Sequence, residues 1–357
     1  MQSKLNRYAL AVMEAAWLAA VIRVPVFFNV YSSRIFEPDK ITLLRTLALV
    51  TLAAWIVAQV EGRRAGGGEP LGVRIKAWLR RPLVLPVVGL AVVYLLATAF
   101  SVTPAISLWG SYQRLQGLYT TLAYLVIFMT MATTLREWAQ VERLMTAVIV
   151  ASLPVALYGV LQRYGLDPIP WGGDVSVRIA ANMGNSIFIA AYMIMAFPLT
   201  VGRIVRAFQA ILKENGRLAA ETTRATFYIF IGAVQVIALY MSGSRGPVMG
   251  WLAGLFVTAL LFSLLWRKRG LAAAVVGAAL VVGAFLFALN IEGGPLEDLR
   301  SSPAVGRFSR LLDPESSTAL VRKYIWEGAA DLVMPHEPLN FPDGGQDTFN
   351  FLRPLIG

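Results

Sequence analysis

Leu271-Ala-Ala-Ala-Val-Val-Gly-Ala-Ala-Leu-Val-Val-Gly-Ala-Phe-Leu-Phe-Ala-Leu-Asn290 runs for twenty residues without a charge, directly after Arg267-Lys-Arg269. At about 1.5 Å per residue, a helix of this length reaches roughly 30 Å, the thickness of a bilayer's hydrocarbon core. A helix apolar on every face has no side to offer water. Eight further runs share this character, near residues 8–30, 41–60, 83–100, 118–134, 144–161, 186–205, 226–242 and 247–266. The whole chain agrees with its parts: 57% of residues are hydrophobic and 15% charged, the mean hydropathy is +0.62, and soluble chains average about 25% charged residues. The expected fold is all-α, a polytopic transmembrane bundle of about nine spans over residues 1–290. The first span is too long for a signal-peptide core and is read as uncleaved.

Net charge is +11, a balance that in a soluble chain would suggest nucleic acid. In a membrane protein Lys and Arg instead gather in cytoplasmic loops. With the N-terminus inside, the inner loops carry eighteen cations, among them Arg63, Arg64, Arg74, Lys76, Arg80 and Arg81, then Arg136 and Arg143, then Arg267, Lys268 and Arg269. The outer loops carry eight: Arg23, Arg34, Lys40, Arg45, Arg114, Arg163, Arg178 and Arg245. Topology thus accounts for the basicity, and nucleic acid is not an expected partner. An odd number of spans places residues 291–357 outside as a large extracytoplasmic loop.

That loop contains one amphipathic segment. Leu320, Val321, Tyr324, Ile325, Ala329, Leu332 and Val333 recur at helical spacing, with Arg322, Lys323, Glu327 and Asp331 opposite and Ser316 or Ser317 as a cap. The apolar stripe is expected to lie on the membrane interface or on the outer ends of the spans.

Candidate chemistry is narrowed by what is missing. With no Cys and a single His, His336, thiolate nucleophiles and multi-histidine metal centres are excluded, and no cofactor is expected. The outer arginines remain. Even-numbered spans run inward, so their N-terminal N–H groups lie at the outer face. Arg114, Arg178 and Arg245 each stand just upstream of such a start. A guanidinium beside free helix N–H groups suits an anion, whereas a lone arginine at a span end ordinarily snorkels to headgroups. Gly243 and Gly246 around Arg245 admit a close backbone approach. Asn182, Gly184 and Asn185 after Arg178 are polar groups at the mouth of an apolar span. Glu14, inside the first span, is expected either to be functional or to pair with Arg7. Asp167 and Asp174 read as turn formers, and His336 as a solvated loop residue or a general base.

Four strings together resemble the O-antigen ligase and O-antigen polymerase family: Ser107-Leu-Trp-Gly-Ser-Tyr-Gln-Arg-Leu-Gln-Gly117, Arg178 to Asn185, Tyr240-Met-Ser-Gly-Ser-Arg-Gly246, and Arg322-Lys-Tyr-Ile-Trp326. The resemblance covers most of the chain, with the ligase-like region at roughly 226–357. It implies a glycosyltransferase in the bacterial plasma membrane that moves a glycan from undecaprenyl diphosphate to a glycan or lipid acceptor hydroxyl. Arg178 and Arg245 would contact the lipid-linked diphosphate, with Arg322 supporting, and arginine would replace a metal. Family members continue past this loop with a His and further spans, so His336 falls too early to match and a C-terminally truncated reading frame is expected. Two other readings stand beside this one: an anion or inorganic-carbon transporter, and a non-catalytic subunit of a polysaccharide assembly machine.

Overall fold

The computed structural model describes residues 3–65, 71–169, 174–213, 218–302, 305–309, 317–334, 337–338, 340, 344–347 and 350–352. Thirteen α-helices follow one another: α1 (Lys4–Val26), α2 (Glu37–Ala65), α3 (Leu71–Leu79), α4 (Val84–Ala99), α5 (Pro104–Trp109), α6 (Leu118–Thr134), α7 (Trp138–Arg163), α8 (Ser186–Leu212), α9 (Leu218–Met241), α10 (Arg245–Leu265), α11 (Arg269–Leu289), α12 (Glu297–Arg300) and α13 (Ser317–Val333). No strand occurs among the described residues; the sole pairing of that kind is an isolated bridge between Asn340 and Gln346.

Each of the nine expected apolar runs is a helix. Seven are long and apolar enough to cross a membrane, namely α1, α2 and α7 to α11. The other two, α4 and α6, have 16 and 17 residues, close to the lower limit of about 17 for a span. Four of the nine, α2, α7, α8 and α9, outrun the apolar segments by a turn or more, so Lys40 and Arg143, counted above as loop cations, lie within α2 and α7, and Arg45 lies within α2 as well. The backbone explains this: a helix satisfies its own N–H and C=O groups as it leaves the hydrocarbon, and a loop does not.

The chain divides into two compact units, Met1–Val155 with Leu332–Gly357, and Ala156–Asp331. In the first unit, α1 is started by Ser3, whose hydroxyl accepts from the Asn6 amide and donates to Glu61 near the end of α2. The two helices pack along Ala9, Met13, Ala16, Trp17 and Ala20 on one side and Ile41, Leu44 and Ala48 on the other, all buried. Within this unit Glu14 pairs with Arg143 and not with Arg7. Its Oε1 lies 2.6 Å from the Arg143 Nε, and its Oε2 accepts from Gln140 at 2.9 Å. Seven residues of helix separate Arg7 from Glu14 by about 10 Å of rise, beyond ion-pair reach.

In the second unit α8 and α9 form the main pair. Ala190, Met193, Ala196 and Thr200 of α8 and Ile231, Val234, Gln235 and Ala238 of α9 are all buried, while Ile189 reaches Gly159 of α7. Small residues let two backbones come close where lipid supplies no hydrophobic drive, and a methyl at Gly232 would already touch Thr200 at 3.6 Å. Almost nothing of the apolar stretch of α10 is buried, and nothing of that of α11. The amphipathic segment is helical as expected, as α13, and Val321, Tyr324, Ile325 and Trp326 on it are exposed.

Candidate functional site

One end of the second unit gathers the end of α9, the starts of α8 and α10 and the segment from Arg178 to Asn185. Its centre is the turn Ser242-Gly243-Ser244. Ser242 is fully buried; its hydroxyl donates to Leu239 O at 2.7 Å and accepts from the Ser244 amide at 3.2 Å. Gly243 has φ +62, a left-handed conformation that glycine adopts without penalty. The turn thereby folds tightly enough for α10 to begin at Arg245.

Arg178 lies along this turn. A Cβ on Gly243 would stand 3.1 Å from the Arg178 Cγ and 3.4 Å from its Nε. The guanidinium donates to Ser186 Oγ at 2.9 Å, to Ser244 Oγ at 3.4 Å and to Ser242 O at 3.5 Å. Ser186 opens α8 and Ser244 immediately precedes α10, so the cation sits beside two helix N-termini and at the carbonyl end of α9. Two of its three contacts are long for hydrogen bonds, and the residue is exposed.

The segment that carries Arg178 is fixed from beneath. Ile179 is fully buried against α7, where a methyl on Gly159 would come within 2.8 Å of its Cδ1. Gln162, 1% exposed, accepts from the amides of Ala180 and Ala181 at 3.2 and 2.6 Å. It also donates to Asp167 Oδ2 at 3.1 Å, which in turn accepts from the Tyr158 hydroxyl at 2.8 Å. Asp167 is thus a structural turn residue, as read from sequence, and Asp174 is another: the hydroxyl and amide of Ser176 hold its carboxyl below the usual range. Asn185 spends its side-chain oxygen on capping α8 at the Ile187 amide. Asn182 is buried within the turn Ala181–Met183. Both asparagines shape the segment.

The sequence candidates therefore separate. Arg178, Gly243 and Arg245 meet at this end of the second unit, with Arg245 half-buried as the first residue of α10. Gly246 has open space around it. Arg322 is exposed on α13, and His336 lies outside the described residues. Arg114 belongs to the first unit, where its Nε is 3.7 Å from Glu37.

Two arginines carry more of the architecture than their sequence context suggests. Arg307, in the segment after α12, donates to Tyr240 O at 3.0 Å and stacks over the Tyr240 ring at 4.5 Å; burial pushes its guanidinium below its ordinary value. Asn290 at the end of α11 holds the same segment through Phe308 O at 2.9 Å. In the first unit Arg45, 8% exposed, donates to Thr120 Oγ1 at 2.9 Å, Trp109 O at 3.0 Å and Leu115 O at 2.7 Å. A glycine pair at either side of a loop is the one sequence signal for this arrangement; nothing adjacent to Arg307 or Arg45 marks them.

Fold and composition together define a multi-pass helical membrane protein. No family model, curated protein or solved structure matches the chain.

Proposed function

We propose that the chain is a membrane glycosyltransferase of the O-antigen ligase and polymerase kind, with nine spans, a cytoplasmic N-terminus and its chemistry at the outer face of a bacterial plasma membrane. Arg178, with Arg245 at the start of α10, holds the diphosphate of an undecaprenyl-linked glycan. The observation that supports this is the state of Arg178. A guanidinium with a purely structural task resembles Arg45: almost fully buried and bonded at 2.7 to 3.0 Å. Arg178 is exposed, bonded mostly at 3.4 to 3.5 Å, and laid on a glycine that leaves its upper side open. It has donors to give.

In the reaction the acceptor oxygen bonds to the anomeric carbon while the bond from that carbon to the diphosphate oxygen breaks. The electron pair goes to the diphosphate, and a single displacement inverts the anomeric centre. Guanidinium donors aimed at the leaving group stabilise the charge as it grows, at about 3 kcal/mol per well-placed donor. The acceptor proton passes to a base, for which the described residues supply no assignment. Anion transport would draw on Glu14 or on the outer arginines; the Glu14 carboxylate is already engaged by Arg143 and Gln140, and Arg178 and Arg245 lie at one end of the second unit.

Binding of undecaprenyl diphosphate to the protein in nanodiscs tests this reading. Bidentate recognition requires the planar guanidinium, so Arg178→Lys and Arg245→Lys are expected to lose about tenfold or more in affinity. Affinities equal to wild type in both variants remove the assignment.

A further inference from the structure

We propose that the loop from Trp109 to Gly117 in the first unit is a preformed carbohydrate-contact element, in which the exposed ring of Tyr112 stacks on a sugar and the amides and guanidinium around it hydrogen-bond hydroxyls. The chemical class of ligand rests on the glycosyl-transfer reading above; the location rests on the loop itself.

The loop is built with unusual care for an exposed connection. Its neck closes where Gly110, at φ +84, meets Gly117: a Cβ on Gly117 would lie 2.5 Å from Leu108 O, and one on Gly110 would lie 2.5 Å from the Leu115 carbonyl carbon. Neither position admits a side chain. Leu115 sits at φ +52, a region that an L-residue with a branched side chain rarely occupies and that persists only where its surroundings impose it. Two donors hold its carbonyl there, the Thr120 hydroxyl and the Arg45 guanidinium. The guanidinium reaches through α2 to bind the carbonyls of Trp109 and Leu115, one at each side of the loop, and rests on the Tyr119 ring at 4.4 Å. Among the described residues Arg45 has no carboxylate partner. A buried cation in an apolar helix is costly, and here its donors serve to hold this one backbone shape.

The tip that results is chemically uniform. Tyr112 is 73% exposed and Trp109 54%, and Ser111, Gln113, Arg114 and Gln116 are exposed around them. No carboxylate occurs between Trp109 and Gly117, and Glu37 of α2 stands 3.7 Å from the Arg114 Nε, which leaves this exposed guanidinium its other donors. Tyr112 is oriented by its hydroxyl, 3.2 Å from Ser33 Oγ, so its ring face is free. Rigid aromatic faces with a few adaptable polar neighbours give contact at low entropic cost, and the planar C–H face of a pyranose matches such a ring. An aromatic anchor at a membrane interface needs an aromatic side chain and no particular backbone, so anchoring leaves the glycine neck, the strained Leu115 and the buried Arg45 without a purpose.

The test uses the full chain in nanodiscs on an array of lipid-free oligosaccharides representing bacterial polysaccharide repeat units, with undecaprenyl diphosphate binding measured on the same preparations. Wild type is expected to bind at least one oligosaccharide. Tyr112→Ala, which removes an exposed side chain and leaves the melting temperature unchanged, is expected to weaken that binding roughly fivefold or more while undecaprenyl diphosphate binding stays as it was. Tyr112→Phe keeps the ring and is expected to stay within about twofold of wild type. Arg45→Lys cannot reach both carbonyls and is expected to weaken oligosaccharide binding as Tyr112→Ala does, with a lower melting temperature besides. Oligosaccharide binding that survives Tyr112→Ala, or its absence from wild type while undecaprenyl diphosphate binds, overturns the loop assignment alone. Absence of both overturns the glycosyl-transfer reading with it.

Discussion

Gly243 and Gly246 flank Arg245 and look equivalent in sequence, yet they are expected to respond oppositely to alanine. At Gly243 the backbone is left-handed, φ +62, and an L-residue there costs about 1–2 kcal/mol. The added methyl would also stand 3.1 Å from the Arg178 Cγ, near enough that the side chain must move. Even a shift of a few tenths of an ångström lengthens the contacts to Ser244 and Ser242, already 3.4 and 3.5 Å, and turns the donors proposed to meet the diphosphate; hydrogen bonds to a charged group contribute about 1.5–3 kcal/mol, so the loss of one is roughly tenfold or more in affinity. At Gly246, inside α10, nothing lies within 4 Å of an added methyl. Alanine there relieves the helix of a flexible residue and is neutral or stabilising by about 0.5–1 kcal/mol. Thermal melts and undecaprenyl diphosphate titrations in nanodiscs read both quantities at once. Gly243→Ala that melts and binds like wild type, or Gly246→Ala that does as much damage, would refute the placement of Arg178 on the turn.

Three further outcomes follow from the same contacts. Gln162→Ala deprives the Ala180 and Ala181 amides of their acceptor, at about 1–3 kcal/mol for each buried group left unpaired; it is expected to lower both the melting temperature and undecaprenyl diphosphate binding, since it loosens the segment that bears Arg178. Glu14→Gln is expected to lower the melting temperature by about 2 °C, because Arg143 is half exposed and recovers part of the lost pairing from solvent, whereas Arg7→Ala is expected to leave it unchanged. Single cysteines at Gly67, Gly216 and Gly344 of this Cys-free chain report orientation: an impermeant thiol reagent on intact cells is expected to label only the last, and equal labelling at Gly67 contradicts a cytoplasmic N-terminus.

What was legible in the sequence follows from the solvent each segment meets. A run such as 271–290 has no polar face, and lipid leaves it one backbone option, so every apolar run became a helix. The Ser-Gly-Ser-Arg turn was legible too, because two glycines and an arginine at a helix start carry a local geometric meaning. Arg45 was not: one cation at the edge of a span counts as a loop charge until the loop 65 residues further on is known to fold against it. Arg307 was hidden for the same reason, since the chain after α11 must first turn back on Asn290 and Arg300 before Arg307 reaches Tyr240. Glu14 shows the limit most simply. Its neighbour in sequence, Arg7, is two turns away on the same helix, and its partner in space lies 129 residues downstream.

Arg307 and Arg178 also explain one another. The last carbonyls of α9 have no helical partner, and the negative end of the helix dipole lies there. Arg307 takes Tyr240 O at 3.0 Å, with its guanidinium stacked on the Tyr240 ring, and Arg178 takes Ser242 O at 3.5 Å. The first contact is short and reinforced by an aromatic face, and a ligand gains little by disturbing it. The second is long, strong enough to orient a cation over Gly243 before any anion arrives and weak enough to yield a donor when one does. On the proposed reading, the end of α9 and the turn after it thus present two carbonyls with two different tasks: Tyr240 O secures the chain that folds back from α12, and Ser242 O pre-orients the guanidinium that receives the diphosphate. Affinity for undecaprenyl diphosphate should therefore fall for Arg178→Lys, whereas Arg307→Lys, which keeps a donor for Tyr240 O, should act chiefly on the melting temperature.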